Sequence, residues 1–382
     1  MRLLHVSPSF YPAHLYGGPV VSLHRLAVTQ VQAGHQVRVL TSDANGPGRR
    51  LPGVGGRWVQ EHGVPTYYAR ALVRQDYSAE IAWKLPALVR WAELVHVTAV
   101  FSPTSVLALA AAGAIGRPVV LSPRGSLLPW ALAAGGVPKR AALALLTPLL
   151  RRVAGWHATS DDEAEALRQL GVVSPGAALA VVENGVDPID LPERMAASNP
   201  PRVTMLGRID PVKGIDLALA AFELLGREHP EVELVLAGPD RDGHLATYQR
   251  EAARRRLRVC FVGLVRGPDK TALLAGSSVL WLCSRMESFG NVVLEALAAG
   301  TPVVAVRSTP WRWLEEAEVG RWVEPDAAAV CAATAELLRL QQDPEARATL
   351  RRRCREAVTT RFAWPEIARR MDVLYAQARR IR

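Results

Sequence analysis

Two cations stand in one short stretch of this chain. Gly207-Arg208-Ile209-Asp210-Pro211-Val212-Lys213-Gly214 links a strand-like run, Arg202 to Leu206, to an amphipathic helical run, Ile215 to Glu228. A strand-to-helix turn that holds an arginine, a lysine and bordering glycines suits a diphosphate: the backbone can come close and the charge is met. A second stretch, Ser284 to Val306, reads SRMESFGNVVLEALAAGTPVVAV. Its polar loop, Ser284 to Ser288, leads through Gly290 into a helical run, Asn291 to Ala299, which Gly300 stops before the β-rich run Val303 to Val306. The first amides of that helix, at Gly290, Asn291 and Val292, have no intrahelical acceptor and suit an anion.

Two carboxylates flank these amides. Glu287 precedes the helix, and Glu295 lies about two turns along it, roughly 12 Å away if the segment is helical throughout. From Ser288 to Val306 Glu295 is the one charged residue. Val292, Val293, Leu294, Leu297 and Ala298 cover most of the helix circumference, so the helix is expected to be buried and its carboxylate to need a partner. Phosphate at the amides and one carboxylate for each end of a larger ligand would account for the pattern. A solvated Glu287 and a Glu295 paired with a core arginine would account for it without a ligand.

The elements that must position these groups follow an α/β alternation. Leu3 to Val6 reads as a strand, Ser7 to Gly18 as a loop with the pair Gly17-Gly18, Pro19 to Gln32 as a helix and Gln36 to Thr41 as a second strand, the opening of a doubly wound sheet. Ligands of such sheets sit at the carboxyl ends of strands, where Gly17 and Gly18 fall. Asn45 to Gly56 reads as a mobile surface loop. Val95 to Phe101, Val119 to Leu121, the Trp156-His157-Ala158 run and Ala180 to Glu183 read as further strands, and Pro188 to Pro201 as a linker. Beyond it, Val232 to Ala237, Val259 to Val262 and Val279 to Cys283 continue the alternation. Asp326 to Leu340, Pro344 to Thr359 and Phe362 to Arg379 read as helices. The arginines of the second, Arg347, Arg351, Arg352, Arg353 and Arg355, read as a solvated basic face. Lys139 to Arg152, KRAALALLTPLLRR, reads as a core helix with snorkelling basic ends, and peripheral membrane contact is its second reading.

Composition narrows the classes. A chain of 382 residues holds two or three domains, and 49% hydrophobic with 21% charged residues is that of an ordinary globular protein. Cys260, Cys283, Cys331 and Cys354 form no C-x-x-C pair, which excludes a zinc ribbon and fits free thiols in a reducing cytosol. The strand-like run Leu3 to Val6 at the start leads us to expect no signal peptide. Val95 to Gly116 lacks charge, but Pro103 and its Ser and Thr residues fit a strand and an Ala-rich helix better than a membrane span. The net charge of +10 is uneven: up to Ser160 the acidic residues are Asp43, Glu61, Asp76, Glu80 and Glu93, against many arginines. Nucleic acid and an anionic membrane surface or acidic lipid-linked acceptor are the partners this suggests; an Arg- and Ala-favouring genome explains it without a partner. No nucleic-acid-binding motif appears.

The stretch E-S-F-G-N-V-V-L-E-A-L-A-A-G-T-P-V-V-A resembles the E-x7-E signature of the family-4 retaining glycosyltransferases. Gly207 to Gly214 resembles that family's GR…KG loop, and Asn184-Gly185-Val186-Asp187 resembles the turn that closes its first domain. Ser122-Pro123-Arg124-Gly125-Ser126 and Ser308-Thr309-Pro310-Trp311 resemble a branch of polysaccharide-assembly enzymes, and Arg124 stands where most of the superfamily has histidine. The resemblance covers nearly the whole chain. It implies a GT-B fold: an α/β chain of two Rossmann-like doubly wound domains facing a cleft. Residues 1–187 would form an acceptor-side domain and 201–361 a donor domain, with 362–382 crossing back to the first.

It further implies a nucleoside-diphosphate sugar as co-substrate, no resident cofactor, no metal, and a glycan, lipid-linked or small-molecule acceptor. Arg208, Lys213 and Gly207 would hold the pyrophosphate with the helix start at Ser288, Phe289, Gly290, Asn291 and Val292. Glu295 would take the ribose and Glu287 the sugar. Gly17 and Gly18 would lie against donor phosphate or acceptor. For Arg124, donor phosphate, an acidic acceptor and a loop hydrogen bond all stay open. A nicotinamide enzyme would need G-x-G-x-x-G after the first strand, which is absent. A sugar phosphorylase would need a cofactor-linking lysine, which nothing here suggests. A basic nucleic-acid-binding protein would be betrayed by salt-dependent binding to random DNA without sugar-nucleotide turnover.

Overall fold

The computed structural model describes residues 1–46, 48–72, 77–189 and 200–381. Most of the expected linker, at 190–199, lies outside them. The chain divides into two units, Met1–Gly185 with Trp364–Arg382, and Val186–Ala363.

The first unit runs β1 (Arg2–Val6), α1 (Gly18–Gln32), β2 (Gln36–Ser42), β3 (Arg57–Glu61), β4 (Val64–Ala69), α2 (Ala79–Trp91), β5 (Leu94–Thr98), α3 (Pro103–Ile115), β6 (Val119–Ser122), α4 (Pro129–Ala134), α5 (Gly136–Leu150), β7 (Gly155–Ala158), α6 (Asp161–Gln169) and β8 (Ala178–Val181). The sheet order is β3-β4-β2-β1-β5-β6-β7-β8, parallel except for the β3–β4 hairpin. β5, β6 and β7 are buried along their whole length, the pattern of parallel strands covered on both faces. Strand alternation sorts their side chains: Leu4, Val95, Leu121 and Trp156 face one apolar cluster, Leu3, Leu94 and Val120 the other.

A chain of hydrogen bonds crosses this second, otherwise apolar layer, and one carbonyl sets its direction. Val182 O can only accept, so His157 donates to it from Nε2 (2.8 Å) and its Nδ1 accepts from Ser122 Oγ (2.6 Å). Ser122 then accepts from His96 Nε2, His96 Nδ1 accepts from the Tyr375 hydroxyl, and Tyr375 accepts from Gln30 Nε2, whose Oε1 accepts from His5 Nε2. In this order of donors His96 and His157 each donate once and accept once, as a neutral imidazole does. Burial agrees: it holds His5 down at about 4, His157 at about 3, and His96 well below its ordinary value.

The second unit runs β9 (Arg202–Leu206), α7 (Ile215–Glu228), β10 (Glu233–Ala237), α8 (Leu245–Arg254), β11 (Val259–Gly263), α9 (Gly267–Ala275), β12 (Val279–Leu282), α10 (Asn291–Ala298), β13 (Val303–Val306), α11 (Trp313–Glu316), β14 (Gly320–Val323), α12 (Ala327–Leu340) and α13 (Pro344–Arg361). Its six strands are all parallel, in the order β11-β10-β9-β12-β13-β14. The chain then returns as α14 (Trp364–Arg380), which packs against α1, β6, β7 and β8 of the first unit. Its buried Trp364, Ile367, Met371, Leu374, Tyr375 and Ala378 follow helical spacing. Phe362, expected to open this helix, instead packs in the second unit's core.

Two expectations are corrected. Lys139 to Arg152 is not a core helix: along α5 only Leu150 is fully buried. Arg351 is not on a solvated face. It is 3% exposed, and its Nη2 donates to Ala275 O (2.7 Å) and Ala299 O (3.3 Å), the carbonyl ends of α9 and α10. Among the described residues no carboxylate pairs with it; two helix C-termini meet its charge.

Candidate active site

β9 ends at Leu206, and the chain passes through Gly207 and Arg208 into a single tight turn, Pro211–Lys213. Asp210 caps that turn, accepting from the Val212 amide at 2.9 Å, and its other oxygen lies 3.2 Å from Arg208 Nη1. Gly214 has φ +68°, and a Cβ there would stand 2.0 Å from Cys283 O. Only glycine lets the loop lie against the end of β12. The Arg285 amide donates to Val212 O at 2.8 Å, so the loop after β9 and the loop before α10 are stitched backbone to backbone.

That stitching brings the first cation to the first carboxylate. Lys213 Nζ lies 2.5 Å from Glu287 Oε2, and the same oxygen accepts from Ser284 Oγ at 3.3 Å. Gly290, the N-cap of α10, has φ +88°, and its Cβ position would be 3.3 Å from Glu287 Cγ. Glu287 therefore lies against the N-cap of α10 and brings the ion pair to the start of that helix. The arrangement offers an entering anion a lysine, an exposed arginine and a helix N-terminus, while the lysine is already engaged by a carboxylate.

Glu295 is not the lone carboxylate expected from the sequence. Lys270 of α9, which packs along α10, reaches it at 2.7 Å, and both side chains are about 30% exposed. The partner is a lysine rather than a core arginine, and its position 25 residues upstream left no local signal. The Phe289 side chain is buried in the core against Trp311, whose indole nitrogen donates to the Phe289 carbonyl, so only its backbone amide is left to meet an anion. Ser288, Gly290, Asn291, Val292 and Gly207 are half-buried, and Arg208 is exposed. Cys283, next to the loop, is pushed up to about 12 by burial and is no nucleophile at neutral pH. Among the described residues no group of three His, Cys, Asp or Glu side chains is placed to hold a metal ion, and no helix is long and apolar enough to cross a membrane.

Gly17, Gly18 and Arg124 belong to the first unit. Gly17, at φ +81°, caps α1, and Gly18 opens it. Arg124 follows β6 with φ +54°, an uncommon backbone for a non-glycine residue, and its Nη1 donates to Asn184 Oδ1 at 2.7 Å. The next amide, Gly125, donates to the buried Glu163 carboxylate, which also accepts from the Thr159 amide and hydroxyl. So Arg124 makes a loop hydrogen bond to a side chain of the Asn184-Gly185 turn.

Two family descriptions match the chain in tandem, "Glycosyl transferase 4-like domain" over residues 17–185 and "Glycosyl transferases group 1" over residues 189–359. A glycogen synthase of Mycobacterium tuberculosis is 32% identical over 214 residues, 54% of this chain and 50% of that protein, so the match spans half of that relative's length. A phosphatidyl-myo-inositol mannosyltransferase of Mycolicibacterium smegmatis is 28% identical over 98% of this chain and 93% of its own. Among solved structures, sucrose-phosphate synthase from Thermosynechococcus elongatus superposes with a TM-score of 0.70 at 22% identity, covering 99% of each chain. The Anabaena protein HepE in complex with UDP-glucose does so with 0.70 at 20%, covering 98% of this chain and 100% of that one. These likenesses carry the fold. With the tandem match, they make this chain a member of the family-4 glycosyltransferases with the GT-B fold.

Proposed function

We propose that the chain is a retaining glycosyltransferase that moves a sugar from a nucleoside-diphosphate donor to a glycan, lipid-linked or small-molecule acceptor. The observation that carries this is the Lys213–Glu287 pair at the start of α10, with Arg208 exposed on the adjoining loop. In this reading Arg208, Lys213 and the first amides of α10 bind the diphosphate and stabilise the charge that grows on it as the glycosidic bond breaks, so no divalent ion is needed. Glu295 accepts from the ribose hydroxyls and Glu287 contacts the sugar. The acceptor attacks from the face the diphosphate leaves, without a protein nucleophile. UDP is the first nucleotide to try, because HepE and the Staphylococcus aureus protein TarM were solved with it. The likeness to a phosphatidyl-myo-inositol mannosyltransferase favours a lipid acceptor; in this reading the chain serves cell-surface polysaccharide or glycolipid synthesis and works at the inner face of the cytoplasmic membrane.

A thermal-shift screen of UDP-, GDP- and ADP-sugars tests this directly, since a ligand at a hundred times its dissociation constant adds about 2.7 kcal/mol. Transfer from the donor so found is expected to survive EDTA. No shift with any sugar nucleotide would count against the transferase reading. Loss of activity on chelation, restored by magnesium or manganese, would count against its metal-free form.

A further inference from the structure

Helix α5 has two apolar faces. On one, Leu143, Leu146, Leu149 and Leu150 pack toward the first unit's core. On the other, Val137, Ala141, Ala144, Leu145 and Pro148 are exposed, and their spacing of three and four residues makes them a single stripe. Val137 is 79% and Leu145 82% exposed, and they share one stripe rather than standing singly.

The rim of this stripe is cationic. Arg140 lies beside it, and Arg151 and Arg152 continue it past the last turn; all three are exposed. From Leu94 to Ser160 the chain has no Asp or Glu, and among the described residues none of the three makes an ion pair. Several exposed arginines elsewhere do have a carboxylate within reach, as Arg254 with Glu251, Arg369 with Glu366 and Arg307 with Glu324; around α5 the sequence supplies none. Lys139 is not part of the rim, since its ammonium donates to Ala131 O at 2.8 Å and lies over the Phe101 ring.

We propose that this face of α5 docks on an anionic lipid bilayer. The stripe would enter the boundary between headgroups and acyl chains while Arg140, Arg151 and Arg152 meet lipid phosphates. The chemistry selects this partner. A second copy meeting the same stripe would bring two sets of unpaired cations together with no carboxylate between them. A nucleic acid would answer the cations and leave the leucine and valine in water. The inference refines where the transferase reading places the chain, and its test needs no transferase activity.

The full chain is floated with phosphatidylcholine vesicles, with and without phosphatidylglycerol. Binding is expected only with phosphatidylglycerol, falling as salt rises. The double variant Val137→Ser/Leu145→Ser alters solvent-exposed positions and is expected to keep its fold and its donor-induced thermal shift, yet bind these vesicles roughly tenfold less well. Arg140→Gln/Arg151→Gln/Arg152→Gln is expected to lose the preference for phosphatidylglycerol. Equal binding to both vesicle types, or a serine variant that floats as well as the parent, would overturn the proposal. So would self-association in sedimentation that the serine variant abolishes, without vesicle binding, because the stripe would then join copies of the chain. A normal thermal shift with failed flotation isolates the docking surface as the error; the reverse isolates the donor assignment.

Discussion

Glu287→Gln removes the charge that engages Lys213 while keeping the side chain's size. The two groups lie 2.5 Å apart, with 21% of the lysine side chain and 14% of the glutamate side chain exposed. Two unit charges at such contact attract by several kcal/mol at an effective dielectric near 20, but desolvation offsets most of that. The net value of a charge-assisted bond of this kind is roughly 1–2 kcal/mol. A diphosphate that needs Lys213 must displace Glu287 and meets this energy as an opposing term. Removing the charge is therefore expected to tighten binding of the bare nucleoside diphosphate by about five- to thirtyfold. Transfer from the intact sugar donor is expected to fall, because the contact to the sugar is lost. Calorimetry with the nucleoside diphosphate, beside turnover with its sugar, reads both effects, and Lys213→Met serves as the weak-binding control. Weaker binding of the bare diphosphate by Glu287→Gln would refute the reasoning, since Glu287 would then hold Lys213 in place for the ligand or touch the nucleotide itself.

Four other outcomes are expected. Arg208→Ala should lower turnover about a hundredfold with the melting temperature unchanged, the loss of one preorganised charge contact of roughly 3 kcal/mol; full activity would remove the phosphate assignment. Glu295→Gln should weaken the bare nucleoside diphosphate by about 1.5–3 kcal/mol, while Lys270→Met should change stability by less than about 1 kcal/mol, because the pair is only partly buried; an unchanged affinity in Glu295→Gln would make that pair structural. Arg351→Met keeps the aliphatic stem but leaves the carbonyls of Ala275 and Ala299 without their donor, and should destabilise the second unit by about 3 kcal/mol in denaturant titration; a change under about 1 kcal/mol would mean water replaces the guanidinium. Burial holds His5, His96 and His157 below their unfolded value near 6.5, so below it the unfolded state binds protons that the native state refuses. First-unit stability should be complete above that pH and fall by about 4 kcal/mol per pH unit below about pH 6; a flat profile down to pH 5 would contradict the neutral chain.

The fold class was readable because parallel strands buried on both faces leave compact apolar runs, such as Leu3 to Val6 and Val303 to Val306, between glycine-marked turns. The loop from Gly207 to Gly214 and the start of α10 were readable for the same reason: turn residues and helix caps are local signals. What escaped was set by tertiary contact. Lys270 reaches Glu295 from another helix, and no pattern around either residue announces the other. Arg347, Arg351 and Arg355 share one stripe of α13, yet of the three only Arg351 is fully buried and bonds the carbonyl ends of α9 and α10. The apolar period of α5 is the same whether its second face meets protein or solvent, so the sequence could not place it at the surface. Phe289 stood among polar neighbours in a site motif, and its burial against Trp311 depends on a residue 22 positions away.

The return of α14 has a consequence for how the protein is made. Leu23, Leu26 and Val120 of the first unit pack in one cluster with Ile367, Met371 and Leu374, and Tyr375 supplies a link in the chain of neutral histidines. The ribosome must therefore finish all of Val186–Ala363 before the first unit can close its core, a delay of roughly ten to forty seconds at ordinary synthesis rates. The later half can settle first, and the earlier half waits with one sheet face covered by α1 alone. A chaperone that binds the nascent chain would find its substrate on that face, around Leu94 and Val120, and a stop codon just before Trp364 would leave it half-covered for good.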